Sequence, residues 1–307
     1  MTLQEMNSSI QTINTAVQGI PLMNDAIQKL LYYAEKGVTC TCQRQNPDIQ
    51  RQERKSYKLG QDIFYQHHKF TIEFTWALND NKAVMTDAGQ VAYTHWDNCS
   101  VEIYNIDGSH VSTIQLLREP ADITVVNNST VAVTLPLCNS IDIWDINNQQ
   151  KVKSIQLSTV CFAITTINKK LVVGCCGRLL IIDPQTEKVE KIIDTGDCNP
   201  ITLCGSGDGI FYTGMDSLYH YSHSNNKISK VKLPSYVYDM TKLQDGSVYV
   251  ICQDGSVQHV SSDGKKYEQV TTKGLTSLEF SPKISYNPVQ RKLVISVLNS
   301  ITVFQQY

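Results

Sequence analysis

Asn139-Ser140-Ile141-Asp142-Ile143-Trp144 is a short stretch in which apolar and polar side chains alternate, opened by small polar residues and closed by an aromatic ring. The same pattern stands at Cys99-Ser100-Val101-Glu102-Ile103-Tyr104 and at Asn299-Ser300-Ile301-Thr302-Val303-Phe304. Weaker copies fall at Gly177-Arg178-Leu179-Leu180-Ile181-Ile182, Asp216-Ser217-Leu218-Tyr219-His220-Tyr221 and Gly255-Ser256-Val257-Gln258-His259-Val260. The copies recur about every forty residues, with only further strands and tight turns between them. One four-stranded sheet per copy at that period is the pattern of a β-propeller, and six copies predict an all-β, six-bladed ring.

Turn chemistry divides each repeat into strands. In the second, the strands are expected at 121–126, 129–134, 140–146 and 151–157, separated by Asn127-Asn128 and Ile146-Asn147-Asn148-Gln149. Later repeats turn at Gly207-Asp208-Gly209, Gln244-Asp245-Gly246 and Ser262-Asp263-Gly264. The last strands of the first two repeats are near copies, Ser112-Thr113-Ile114-Gln115-Leu116 and Lys153-Ser154-Ile155-Gln156-Leu157. The final repeat stops after its third strand, which leaves a bare sheet edge that would invite aggregation. Residues 69–75, a strand-like run ahead of the first complete repeat, are expected to fill that edge and close the ring.

Ahead of the propeller, expected at 69–307, the chain changes in kind. Leu3, Met6, Ile10, Ile13, Val17 and Ile20 alternate spacings of three and four, the rhythm of a coiled coil. Pro21 interrupts the run; Met23, Ile27, Leu30 and Ala34 resume it until Gly37. Residues 1–36 are therefore read as a helical stem through which two copies could associate, or as a helical hairpin packed on the ring. Residues 37–68 are read as a polar linker.

Composition narrows the function classes. The 307-residue chain has a net charge of -2, and from residue 69 onward 20 basic face 23 acidic side chains. No global field favours nucleic acid, so RNA would require a local basic face. Ten cysteines in a chain of this size, behind a polar start, fit small core residues in a reducing cytoplasm better than a disulfide scaffold. Apolar runs such as 171–176 have strand length and are too short to span a membrane. The adjacent Cys175 and Cys176 point to opposite faces of a strand and are read as structural. His220, His223 and His259 are read as strand surface.

Several stretches carry a family resemblance. Leu117-Arg118-Glu119-Pro120-Ala121-Asp122-Ile123-Thr124, Val131-Ala132-Val133-Thr134-Leu135-Pro136, Ile141-Asp142-Ile143-Trp144-Asp145, Cys161-Phe162-Ala163-Ile164 and Lys170-Leu171-Val172-Val173-Gly174 resemble the NHL-like propellers that end invertebrate tripartite-motif proteins. A coiled coil directly before the propeller is that family's order. The resemblance implies substrate recognition in a ubiquitin or innate-immunity setting, and, in some members, RNA binding. The family's zinc-binding RING and B-boxes have no counterpart here: Cys40 and Cys42 are followed only by His67 and His68, too sparse for a finger. Ligase activity is therefore not expected of this chain. Ile143-Trp144-Asp145-Ile146 resembles the WD40 dipeptide, but it occurs at the end of only one copy, and Trp144 is read as the core aromatic matched by Tyr104, Tyr221 and Phe304.

Enzymatic readings find little support in the residues. Six-bladed hydrolases and lactonases hold calcium in the central channel, and that comparison would place carboxylates on the inner strands. The inner strands here offer Asp122 and Asp239, whereas calcium takes six to eight oxygens. Aspartates bonding backbone N–H groups are the simpler reading. Neither a cofactor nor a metal is expected. What remains is binding of a protein or peptide by the loops at one face of the ring. Candidates are Tyr93, Trp96 and Asp97 in the first blade, Arg118 and Glu119 between the first two blades, and Tyr236 before the fifth; Trp, Tyr and Arg are the usual interface anchors.

Overall fold

The computed structural model describes residues 57–72, 81–206, 209–214, 217–275, 278, 281–298 and 300–307. The stem expected over 1–36 and the first part of the expected linker, 37–56, lie outside the described residues. The remainder is an all-β ring of six four-stranded antiparallel sheets.

Strand β1 (Phe64–Thr71) comes first in the chain. Blade one is β2 (Ala83–Met85), β3 (Val91–His95), β4 (Ser100–Tyr104) and β5 (His110–Gln115). Blade two is β6 (Asp122–Asn127), β7 (Thr130–Leu135), β8 (Ser140–Asp145) and β9 (Gln150–Gln156). Blade three is β10 (Cys161–Ile167), β11 (Lys170–Cys175), β12 (Arg178–Ile182) and β13 (Val189–Asp194). Blade four is β14 (Leu203–Gly205), β15 (Gly209–Thr213), β16 (Ser217–Ser222) and β17 (Lys227–Lys232). Blade five is β18 (Val237–Lys242), β19 (Val248–Cys252), β20 (Val257–Val260) and β21 (Tyr267–Gln269). Blade six is β22 (Lys283–Asn287), β23 (Lys292–Val297) and β24 (Ser300–Gln306), and β1 completes it.

The repeated sequence motif is the third strand of each blade together with the residue that turns into it. That residue carries a positive φ at Cys99 (49°), Asn139 (49°), Gly177 (67°) and Gly255 (80°). A left-handed residue closes the hairpin, so glycine and asparagine are the natural occupants and the motif opens on small residues. The near-copy outer strands have a shared task as well. Gln115 Nε2 donates to the carbonyls of Asn98 (2.8 Å) and Cys99 (3.0 Å), and Gln156 Nε2 to those of Cys138 (2.9 Å) and Asn139 (3.1 Å). In both blades this glutamine ties the outer strand to the preceding hairpin.

Packing follows from the blade geometry. Middle strands are covered on both faces, as in β19, where all five residues are buried, whereas outer strands such as β9 bury little. Six apolar clusters among the described residues each fill the gap between two neighbouring blades. The six inner strands β2, β6, β10, β14, β18 and β22 surround a central cavity of about 820 Å³.

The ring is closed by pairing β1 with β24, from Phe64 opposite Gln306 to Thr71 opposite Ser300. The segment expected in that place, 69–75, overlaps β1 only at residues 69–71, and residues 73–80 lie outside the described ones. The difference has a simple cause. Five consecutive residues of β1, Tyr65 to Lys69, are exposed, so the outer strand lacks the alternation by which strands are read. Residues 57–63, read as linker, are likewise part of the ring. Tyr57 N–H donates to Asp245 Oδ2 (3.3 Å), Gly60 N–H to His259 Nδ1 (3.2 Å), and Thr272 Oγ1 to Asp62 Oδ1 (2.7 Å). The Tyr57 hydroxyl also accepts a hydrogen bond from Gln306 Nε2. Phe64, 1% exposed, anchors this strap edge-on against Tyr249 (5.8 Å between centroids) and Tyr286 (5.7 Å).

Two of the three histidines read as strand surface are buried instead, His220 at 7% and His259 at 0% exposure; His223 is exposed. Because Nδ1 of His259 accepts from Gly60 N–H, Nε2 carries the proton and donates to Ser247 Oγ (2.7 Å). Ser247 Oγ in turn donates to Asp245 Oδ1 (2.6 Å). Burial holds the His259 pKa at about 4, so the ring is neutral and serves as a structural link between strap and blade five. Cys175 is buried and Cys176 half-buried, both as free thiols.

Candidate functional site

Two polar constellations stand out, one in the channel and one at the rim. In the channel, Asp122 and Asp239 project from blades two and five, which face each other across the ring. Asp122 accepts N–H bonds from Ile123 (2.8 Å) and from Ile164 of the next blade (2.8 Å). Asp239 accepts from Ile284 N–H of its next blade (2.9 Å) and from Thr202 Oγ1 (2.7 Å). The two aspartates thus lace neighbouring inner strands together. Between them stands Lys82, whose Nζ is 3.3 Å from Asp122 Oδ1 and 3.3 Å from Asp239 Oδ1.

Burial alone would pull the Lys82 ammonium down, but the two carboxylates outweigh it and hold its pKa above the ordinary lysine range. Burial also pushes the Asp122 carboxyl up, and the Lys82 charge opposes that push. A resident protein cation therefore occupies the position between the channel carboxylates. Lys82 was not legible as a functional residue: a single lysine ahead of an inner strand has no local pattern, and its partners lie far along the chain.

The rim constellation lies between blades one and two. In an antiparallel meander alternate loops emerge at the same end, so the β3–β4 hairpin (96–99) and the β5–β6 connection (116–121) share one face of the ring. Leu116 N–H donates to the Cys99 carbonyl (2.7 Å), which fixes the two loops to each other. Asp97 is half-buried, and Glu119 is only 3% exposed. Burial pushes the Asp97 carboxyl up to about 7, with Glu119 adding to the push. Cys99 is raised to about 11 by burial, by Glu119 and by Asp97, with Arg118 opposing. These four groups therefore form one electrostatic cluster.

The cluster also holds polar atoms that nothing satisfies. Asn81 Nδ2, Asp97 Oδ2, Ser100 Oγ and Glu119 Oε2 are buried without a hydrogen-bond partner among the described residues. Asn81 belongs to the same corner, because its Oδ1 accepts the Trp96 N–H (3.0 Å). Beside these buried atoms Arg118 is exposed, and Leu117 is 74% exposed.

The structure therefore brings Trp96, Asp97, Arg118 and Glu119 together. Trp96 is half-buried, and Glu119 lies beneath the surface where an exposed contact was expected. Tyr93 does not belong to the face: it lies on β3 at 0% exposure, in the core between blades six and one. The reason is that its strand is the second of its blade and is covered on both sides. Tyr236 is 36% exposed in the connection between blades four and five, apart from the others. Leu117, Ser100 and Asn81 were missed; an apolar residue beside an arginine in an interblade loop was the available signal for the first.

Among the described residues, no group of three or more His, Cys, Asp or Glu side chains is arranged to hold a metal, and no helix is long and apolar enough to cross a membrane. No family model and no curated protein match the chain. Among solved structures, the chain is similar to the WD40 domain of Neurospora crassa Pan2, with a TM-score of 0.54 and 12% identity, covering 76% of this chain and 79% of that one. At that identity the likeness shows the fold alone, a WD40-like β-propeller, while the six blades are those of this chain's own sheets.

Proposed function

We propose that the chain is a non-enzymatic interaction module whose propeller binds a protein or peptide through the face formed by the 96–99 and 116–121 loops. The observation that carries this reading is the pairing of Leu117, 74% exposed beside the exposed Arg118, with buried polar atoms of the same corner that lack partners. Unsatisfied buried groups cost stability, and an exposed leucine is apolar surface that gains free energy when a partner covers it, so an occupant of this corner would act on both. Arginine and tryptophan next to them are the side chains that most often anchor an interface. In the channel, Lys82 already stands against both aspartates, where a calcium ion would have to sit.

On the finer level, we read the module as the substrate-recognition end of a tripartite-motif-like protein acting in the cytoplasm, with the sequence resemblance as its support. RNA remains disfavoured by the near-neutral charge. The test is affinity capture from cell extract with the full chain beside its Trp96→Ala, Leu117→Asp and Arg118→Ala variants. A polypeptide held by the parent and lost in the variants supports the reading; equal capture by all four chains overturns it.

A further inference from the structure

We propose that the Asn81–Asp97–Ser100–Glu119 corner receives the ammonium group of a lysine carried by the polypeptide partner. The inference rests on the binding face proposed above and names the chemistry that the face selects. Three of the unsatisfied atoms can accept: Asp97 Oδ2, Glu119 Oε2 and Ser100 Oγ, whose hydroxyl can also donate to one of the carboxylates. A lysine ammonium carries three N–H donors and no acceptor, so it matches that set in number and sign. The fourth atom, Asn81 Nδ2, is a donor and suits a backbone carbonyl of the same peptide.

The charges agree with this occupant. Two carboxyl groups and one guanidinium, that of the exposed Arg118, surround Cys99, so acidic side chains outnumber basic ones at this corner. Glu119 is 3% exposed and Ser100 1%, so both are already desolvated, and a cation admitted beside them by displacement of the exposed Leu117–Arg118 tip meets them at low dielectric. A calcium ion is a poorer fit, because three protein oxygens fall short of the six to eight that it takes. A buried Glu119 carboxyl beside the half-buried Asp97, each with an unpartnered oxygen, is costly in a free protein and resembles a site kept ready at the expense of stability.

The experiment presents an arrayed heptapeptide library, with a fixed central residue of Lys, acetyl-lysine, Gln or Glu and random flanks, to the full chain. The same array is presented to the Asp97→Asn/Glu119→Gln double variant and to Leu117→Asp. The parent is expected to favour Lys over acetyl-lysine and Gln by at least about tenfold. The double variant should lose that preference while melting no lower than the parent, which separates loss of recognition from loss of fold. A preference that survives in the double variant overturns the inference. Binding indifferent to the central residue but abolished by Leu117→Asp also overturns it and leaves the proposed face standing. Absence of binding at every central residue overturns both.

Discussion

Replacing Lys82 by methionine leaves an unbranched side chain one atom shorter and removes the charge between Asp122 and Asp239. The structure sets the size of the effect. At 3.3 Å and an effective dielectric constant of 20, each contact is worth about 5 kcal/mol of gross Coulomb energy. Most of that offsets the desolvation of three buried charges. Removing one member leaves the others uncompensated, and the net loss for such a deletion is about 3–5 kcal/mol. Each carboxylate retains two other hydrogen bonds, from Ile123 and Ile164 to Asp122 and from Ile284 and Thr202 to Asp239, so the ring should fold but melt earlier. At about 2–4 °C per kcal/mol for a domain of this size, the melting temperature should fall by about 10 °C at pH 8.

The dependence on pH separates this account from simple loss of packing. Without Lys82 the Asp122 carboxyl is buried beside the Asp239 charge with no cation to oppose them, and both effects raise its folded pKa above the unfolded value. The native state then binds more protons at Asp122 than the unfolded state does, so the variant loses stability as pH rises from the unfolded pKa of Asp122 through its folded one. The gap between parent and variant should therefore be largest near pH 8 and shrink toward pH 5. Calorimetry at both pH values, with Lys82→Met/Asp122→Asn/Asp239→Asn as a third protein, measures it. The triple variant should recover much of the loss. A gap of equal size at pH 5 and pH 8, or no gap at all, would refute the reasoning.

Three further outcomes follow from the same geometry. Phe64→Ala, which empties the aromatic contact between the strap and blades five and six, should cost about 3–5 kcal/mol in chemical denaturation, and a cost below about 1 kcal/mol would mean that β1 does not hold the ring closed. His259 has a folded pKa of about 4, below its unfolded value, so its contribution is intact above about pH 6.5 and is lost as pH falls toward 4, by about 3 kcal/mol; His259→Gln should flatten that slope, and an unchanged slope would assign it to other groups. Asp97 has the opposite sign: its folded pKa is raised to about 7, so stability falls as pH rises from about 4 to 7, and Asp97→Asn should melt above the parent at pH 8 and level with it at pH 4, with a lower melting point at pH 8 counting against a strained carboxyl.

The repeat was legible because each third strand is entered through a left-handed residue, and Cys99, Asn139, Gly177 and Gly255 mark that turn in the sequence itself. The channel aspartates were legible as bonds to backbone N–H groups, because an acid on an inner strand has few other partners. The histidines were not. Alternation assigns one strand face to solvent, but both faces of a middle strand lie between blades, so His220 and His259 are covered whichever way they point. Glu119 and Tyr93 were misplaced for a related reason: the sequence gives the residue and its loop or strand, while depth depends on the neighbouring blade. Lys82 depends on contacts that span most of the ring.

The central claim, that the face around Leu117 and Arg118 binds a polypeptide, is tested most directly by site-specific photocrosslinking of the full chain in cell extract. A benzophenone side chain at position 117 is compared with one at Ile228, which is 43% exposed on the outer strand of blade four. The account predicts a discrete polypeptide adduct at position 117 that is absent at position 228 and is competed by lysine-bearing peptides. Equal adducts at both positions, or none at position 117, would contradict it.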